Sequence, residues 1–277
     1  MTMLSINTNV GALQAASASY SVNKSMETSM QRLSTGKRIN SSADDAAGHQ
    51  IANRMTAEIQ GIKMAIRNAA DAQALLQTAE GAVEEIQTML LRIRELAVQS
   101  SNGTNTTADR AAIQSEAAAL ELEISRVANN TTWAGLNIID GSQSAGIVFQ
   151  VGADSGQTLT HSIYSFSAAS STLNLTAAMT LGSFASAQTY ITALDNAIES
   201  VAREREQMGA VMNRLDHTIA NLNNVATNLA TAKGRIEDAD FAAETSNLAR
   251  TQVLQQASMA MLAQANASKQ NILSLFQ

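Results

Sequence analysis

Apolar residues recur in alternating steps of four and three along two long stretches of the chain. From Ile51 the positions are Ile51, Met55, Glu58, Ile62, Ala65, Ala69, Ala72, Leu76, Ala79, Val83, Ile86, Leu90, Ile93 and Ala97, and only Glu58 breaks the stripe. A sustained spacing of this kind predicts a helix over about 44–99, roughly 85 Å long at 1.5 Å per residue. Ser41 or Ser42 with Asp44 or Asp45 three residues on reads as a capping box at its start. Ser101-Asn102-Gly103-Thr104 supplies stop chemistry at its end. Near the other end of the chain, from Ile191, the stripe runs Leu194, Ile198, Val201, Arg205, Met208, Met212, Leu215, Ile219, Leu222, Ala226, Leu229, Lys233 and Ile236, with Arg205 and Lys233 as its breaks. A long helix with one narrow apolar seam is not stable alone in water and must bury that seam on another helix. The two stretches are about equal in length and are expected to pack antiparallel as a long rod.

Between them, Thr106 and Asp109 have capping-box spacing, and Ile113, Ala117, Leu120, Ile124 and Val127 make one stripe of a shorter helix. The insert over about 129–186 is broken by Gly135, Gly141, Gly146, Gly152, Gly156 and Gly182. Ile147–Val151 and Thr158–Ile163 read as two short strands, with residues 152–157 turning between them as a hairpin. The Ser/Ala/Thr-rich stretch 165–186 reads as an exposed loop or a small cap.

Composition supports the helical reading and removes most chemistry. The chain has no Pro, which permits uninterrupted helices, and no Cys, which excludes disulfides, thiolate catalysis and Cys-ligated zinc. Aromatic residues make up only 3%, so the apolar 45% is largely aliphatic and suits thin helix packing better than a thick globule. A net charge of −6 with scattered Lys and Arg argues against nucleic-acid binding. No apolar run reaches membrane-spanning length, and the first residues do not read as a signal peptide. His49, His161 and His217 stand singly and read as surface or packing histidines. Asp44-Asp45 at a helix start is better explained by capping than by acid–base work. Gly11, Gly61 and Gly81 form no phosphate loop. No catalytic residue, cofactor or metal ligand is expected, and an enzyme is not supported.

The two chain ends carry the functional signal. Residues 1–23 hold no charged side chain, and residues 245–277 hold only Arg250 and Lys269. Both ends nevertheless look helical. Ile6, Val10 and Leu13 share one face, and Val22, Met26, Met30 and Leu33 share another after a phase shift. Near the end, Leu254, Met261 and Leu275 fall on one heptad position, with Leu262 and Phe276 beside it, and Leu273 close by. A solvent-facing helix normally carries many charges. These use Gln, Asn, Ser and Thr, which are buried at lower cost than ions. The ends are therefore read as assembly surfaces that become buried between neighbouring copies and are ordered by polymerisation. An ordinary intramolecular bundle with charge-poor ends is the plainer alternative.

Several motifs go beyond periodicity. Leu4-Ser5-Ile6-Asn7-Thr8-Asn9, then Gln31-Arg32-Leu33-Ser34-Thr35-Gly36-Lys37-Arg38-Ile39-Asn40 with Asp44-Asp45-Ala46-Ala47-Gly48, open the chain. Residues 92–100 (RIRELAVQS) and 149–153 (FQVGA) follow, then 235–240 (RIEDAD), 253–257 (VLQQA), 262–266 (LAQAN) and 271–275 (NILSL). Together they resemble bacterial flagellin over most of the chain, in a short form without large variable outer domains. The resemblance implies a mainly α fold: a long antiparallel helical rod or coiled coil with paired terminal helices and a small β-hairpin insert. It implies a terminal coiled-coil assembly domain of 1–40 with 237–277 lining a filament core, a rod domain of 41–140 with 187–236, and an exposed insert of 141–186. It implies a self-assembling structural subunit of the flagellar filament, extracellular and exported through the flagellar secretion apparatus without a cleaved signal. Implied partners are copies of the same chain, cap and hook–filament junction proteins, and an export chaperone at the C-terminal helix. Members of the family are recognised by Toll-like receptor 5, and the matching positions are Arg92, Leu96 and Glu116. Two alternatives share parts of the pattern. A hook–filament junction protein resembles flagellin at both ends. A cytoplasmic coiled-coil signalling rod has similar helices but needs neither charge-poor ends nor a Gly-rich hairpin.

Overall fold

The computed structural model describes residues 8–175 and 180–274, with backbone alone for 269–274. The chain is mainly helical: α1 (Val10–Thr35), α2 (Ala46–Ser100), α3 (Thr107–Asn130), four short strands β1 (Thr132–Trp133), β2 (Leu136–Asn137), β3 (Ile147–Gln150) and β4 (Thr158–His161), then α4 (Phe184–Glu237) and α5 (Phe241–Ser274). It divides into two compact units, residues 1–59 with 227–277, and residues 60–226.

The unit of residues 60–226 holds the main apolar core. From Ile62 to Ala97 every apolar position that the sequence places on the α2 seam is buried. Polar pairs flanking the seam fix the direction of α4 against α2. The amide of Gln73 donates to Asp216 at 2.6 Å, the guanidinium of Arg205 to Glu80 and Gln87 at 2.7 Å each, and that of Arg94 to Asp195 at 2.6 Å. Rising numbers on α2 meet falling numbers on α4, so the two run antiparallel, as expected.

The α4 seam buries Leu194, Val201, Met208 and Leu215 as expected, but its alternate positions fall one residue earlier than expected. Its buried residues are Tyr190, Leu194, Ala197, Val201, Glu204, Met208, Val211 and Leu215. Ile198, Arg205, Met212 and Ile219 lie half-buried on its flank. The break in the buried line is therefore Glu204, while Arg205 reaches sideways to carboxylates. Counting only apolar letters favoured the flank, because Arg205 is as polar as Glu204 and nothing in the pattern ranks them. Desolvation pushes the Glu204 carboxyl upward.

Local chemistry sets the helix ends. The α3 start is a full capping box: Thr106 Oγ1 accepts from the Asp109 amide, and Asp109 accepts from the Thr106 amide at 2.9 Å. Thr106→Ala is expected to cost about 1 kcal/mol of stability, read as a lower midpoint in urea unfolding. At α2 the expected Ser41/Ser42 box is not what forms. Asp45 takes the cap, accepting from the Gly48 amide at 2.9 Å, while Asp44 closes a preceding turn by accepting from the Asn40 and Ser41 amides. Two adjacent acids divide two jobs, and the start moves to Ala46. A Cβ on Gly48 would meet Asp45 Oδ2 at 2.5 Å and Ile39 Cδ1 at 2.7 Å, so any larger residue there would push the capping Asp45 and the buried Ile39 side chains aside. At the α2 end, the Arg110 guanidinium donates to the carbonyls of Ser100 and Asn102 at 3.0 and 3.2 Å.

The insert is more ordered than its composition suggests. The expected hairpin forms, with Ile147 opposite His161 and Gln150 opposite Thr158. His161 is buried in it, and burial lowers the basicity of its imidazole. A second hairpin, β1–β2, was not read from sequence. It turns through Ala134 (φ 49) and Gly135 (φ 84), a two-residue turn that only Gly135 signals. The stretch 165–186 is a cap rather than an exposed loop: Phe166, Ala168, Leu173, Leu175 and Leu181 join the core, and α4 already begins at Phe184. Between the two readings of this stretch, loop or cap, its scattered apolar residues without a period could not choose. Ser100 Oγ donates to the Leu181 carbonyl at 2.7 Å, and the Leu181 amide donates to the Gln114 side chain at 2.5 Å. Tyr190, fully buried, donates its hydroxyl to the Glu121 carboxylate.

Candidate assembly surfaces

In the unit formed by 1–59 and 227–277, α1 and α5 pack against each other. Asn9 Nδ2 donates to the Ala265 carbonyl at 3.2 Å, Gln255 Nε2 to Asn23 Oδ1 at 2.8 Å, and Ser29 Oγ to Glu244 at 2.9 Å. The order is antiparallel. Facing positions on α1 are Ala12, Ala15, Ser19, Val22, Met26, Ser29 and Leu33; on α5 they are Glu244, Leu248, Thr251, Gln255, Ser258, Leu262 and Ala265. Both sets keep heptad spacing, but many members are small or polar, so the seam buries little apolar area.

The connectors beyond the pair are tied together as well. Gly36 ends α1 in the left-handed region. The Arg38 amide donates to the Glu237 carbonyl at 2.7 Å, and the Ala239 amide donates to the Gly36 carbonyl at 3.0 Å. Lys37 Nζ lies 2.5 Å from Glu237, which holds that carboxyl low against the opposing effect of burial. The motif of residues 31–40 and that of 235–240 thus meet, with Lys37 bridged to Asp238.

One ion pair sits in the α1·α5 seam. The Arg32 guanidinium donates to Glu244 at 2.8 Å, and the hydrogen bond holds the Glu244 carboxyl below its ordinary value, outweighing desolvation. A depressed folded value stabilises the pair above the ordinary glutamate value of 4.5 and loses that contribution as pH falls through the folded value. Protease resistance of α1 and α5 in assembled material is therefore expected to drop on acidification below about pH 4. Glu244→Gln is expected to remove that step.

Large apolar side chains point away from the seam. Leu13 is 62% exposed, Met261 65% and Leu254 45%, and Val10, Tyr20, Met30, Val253 and Met259 are exposed too. At about 100° per residue, Leu13 and Tyr20 lie on the side of α1 opposite Gly11, Ala15 and Ala18. Those small residues floor an apolar groove of about 560 Å³ walled by Leu254 and Met261 of α5. Of the residues read from sequence as assembly contacts, Val10, Leu13, Leu254 and Met261 face outward, while Leu33 and Leu262 lie half-buried in the α1·α5 seam. Ile6, Leu275 and Phe276 lie outside the described residues, as does the side chain of Leu273.

In the unit of residues 60–226, Arg92 on α2 donates to Glu116 on α3 at 2.8 Å and to Glu95 at 3.0 Å, all three at the surface. Those hydrogen bonds secure its positive charge. Leu96, grouped with Arg92 and Glu116 in the sequence reading, is only 2% exposed and belongs to the core beneath them. Leu91, beside Arg92, is the exposed leucine of this surface.

Among the described residues no group of three His, Asp or Glu side chains converges as a metal site, and no helix is long and apolar enough to cross a membrane. Antiparallel helices whose paired ends turn apolar side chains outward define a self-associating structural protein. Comparison with known proteins gives the particular family. Residues 6–144 match the bacterial flagellin N-terminal helical region and residues 191–276 the bacterial flagellin C-terminal helical region. A flagellin of Halalkalibacterium halodurans is 40% identical over 98% of this chain and 99% of its own length. The crystal structure of Bacillus cereus flagellin covers 60% of this chain and 94% of that one, with TM-score 0.50 and 36% identity. A putative flagellar hook-associated protein from Vibrio parahaemolyticus shares the fold at TM-score 0.60 and 17% identity, over 70% of this chain and 100% of its own. The chain belongs to the bacterial flagellin family and is a structural subunit of the flagellar filament.

Proposed function

We propose that subunits join through the outward faces of α1 and α5, with the Val10–Leu13–Tyr20 side of one copy seated in the α1·α5 groove of the next. The observation that carries this is the exposure of Leu13, Leu254 and Met261 on helices with almost no charge. Such a patch is a liability unless a partner covers it. Ridge and groove lie on opposite sides of α1, so the contact is head-to-tail rather than two-fold, the kind of contact a growing helical filament requires. Cap and hook–filament junction proteins would meet the same surfaces at the filament ends. An export chaperone would cover α5 before assembly, since its apolar side chains invite aggregation. Export without a cleaved signal belongs to this reading.

The test is negative-stain electron microscopy of purified subunits with and without preformed filament seeds. Long uniform tubes growing from seeds support the proposal. Discrete oligomers or short rods under the same conditions would instead favour a junction protein.

The surface of Arg92 and Glu116 is proposed as the contact for Toll-like receptor 5, because a surface Arg held rigid by two carboxylates suits an interface anchor. Arg92→Ala is expected to weaken the response of a receptor reporter cell by about tenfold or more without changing the thermal midpoint. An unchanged response would remove Arg92 from the contact.

A further inference from the structure

Resting on the proposed ridge-and-groove contact, we infer that Glu27 of one subunit forms an ion pair with Arg250 of the next, seated in a polar cleft between α1 and α5. The cleft, of about 360 Å³, is lined by Ser25, Thr28 and Arg32 of α1 and by Asn247, Arg250 and Thr251 of α5, among others. Its hydroxyls already donate elsewhere, those of Ser25, Thr28 and Thr251 to backbone carbonyls one turn back, and the Asn247 side chain is bonded to Glu244, so the Arg250 guanidinium is the group left to meet a carboxylate. Glu244, at its edge, is already engaged by Arg32 and Ser29. Arg32 Nε is buried and has no hydrogen-bond partner, and Arg250 has no ion-pair partner among the described residues. The cleft therefore keeps one unmatched positive charge.

The matching negative charge lies on the opposite side of α1. Leu13, Tyr20 and Glu27 are spaced by seven residues and so occupy one face of the helix. Glu27 is exposed and forms no ion pair among the described residues. The order of features along the two sides agrees. The apolar groove lies at residues 11–18 of α1 and the polar cleft at 25–32. On the ridge, the apolar Leu13 and Tyr20 come first and the charged Glu27 follows. From the middle of the groove to the middle of the cleft is about 20 Å along α1, and from Leu13 to Glu27 is the same, at 1.5 Å per residue. If neighbouring copies run in the same direction, placing Leu13 and Tyr20 at the apolar groove brings Glu27 to the polar cleft without further adjustment. In a surface otherwise poor in charge, a carboxylate left without this partner would be desolvated at a cost.

The experiment is seeded polymerisation of four samples: wild type, Glu27→Arg, Arg250→Glu and the double reversal, with helix content checked by circular dichroism. Each single reversal places like charges together and is expected to raise the critical concentration about thirtyfold or more. The double reversal is expected to return it to within about threefold of wild type. An equimolar mixture of the two single variants is expected to grow where neither grows alone, because each supplies the other's missing charge. That result also excludes misfolding as the cause of the single defects. Normal growth of the single reversals, or a double reversal and mixture as defective as the singles, would overturn the ion pair while wild-type growth leaves the ridge-and-groove reading standing. Failure of wild type to grow from seeds would instead overturn that reading itself.

Discussion

Replacing Leu13 or Met261 with Asp is expected to abolish growth from filament seeds while leaving the unfolding midpoint of the free subunit within about 0.5 kcal/mol of wild type. Both side chains are well over half exposed, so the isolated subunit has little to lose by the change. An assembled subunit would have to bury a carboxylate against aliphatic groups and a neighbour's small residues. An uncompensated buried charge costs several kcal/mol, which at about 1.4 kcal/mol per factor of ten removes any measurable growth. Sedimentation of seeded reactions would show it: wild type in the pellet, both variants in the supernatant. Ala12→Asp on the facing side of α1 would be a different experiment, since it disturbs the helix pair itself.

Leu90→Ala is expected to act in the opposite way, destabilising the free subunit by about 3 kcal/mol with the seeds still accepting whatever remains folded. Leu90 is fully buried in the α2 seam, within a cluster that includes Ile86, Ile93 and residues of α3, the 165–181 cap and α4. Urea unfolding followed at 222 nm measures the loss. A cost under about 1 kcal/mol would mean that the helices repack around the missing atoms. The two substitutions separate the molecule's tasks: one disables assembly without unfolding, the other weakens folding without touching an assembly face.

The helical plan was legible because it is periodic. Ile62 to Ala97 of α2 follow the predicted seam residue by residue, and Thr106 with Asp109 forms the box its spacing promised. The start of the α2 seam was less legible: Ile51 is exposed while Ala52 beside it is buried. On α4 the positions Leu194, Val201, Met208 and Leu215 were legible and the alternate ones fell one residue off, because Glu204 and Arg205 break the stripe equally on paper and only the carboxylates across the helix pair show which one turns aside. For the stretch 165–186 the pattern left loop and cap both open, because the buried Phe166, Leu173 and Leu181 have no common spacing. For the proposed assembly surfaces, absence of charge pointed to α1 and α5 as whole helices. It did not separate Leu33 and Leu262, which serve the intramolecular seam, from Leu13 and Met261, which do not. That distinction depends on which faces of α1 and α5 meet, and a single helix's pattern carries no information about its partner. Arg92 and Glu116 were found by resemblance, and their pairing was visible only once α3 lay against α2.

The central claim is that the outward sides of α1 and α5 are buried by neighbouring copies in the filament. The chain has no Cys, so Leu13→Cys or Met261→Cys introduces a single thiol at either surface. Each variant would be co-assembled with excess wild type and treated with a maleimide reagent, beside the same protein as free subunits. Rapid labelling of the free subunit and at least tenfold slower labelling in the filament (roughly the protection expected of a desolvated interface side chain) is the predicted result. Equal labelling rates in the two states would contradict it, and would place the contacts that build the filament elsewhere on the chain.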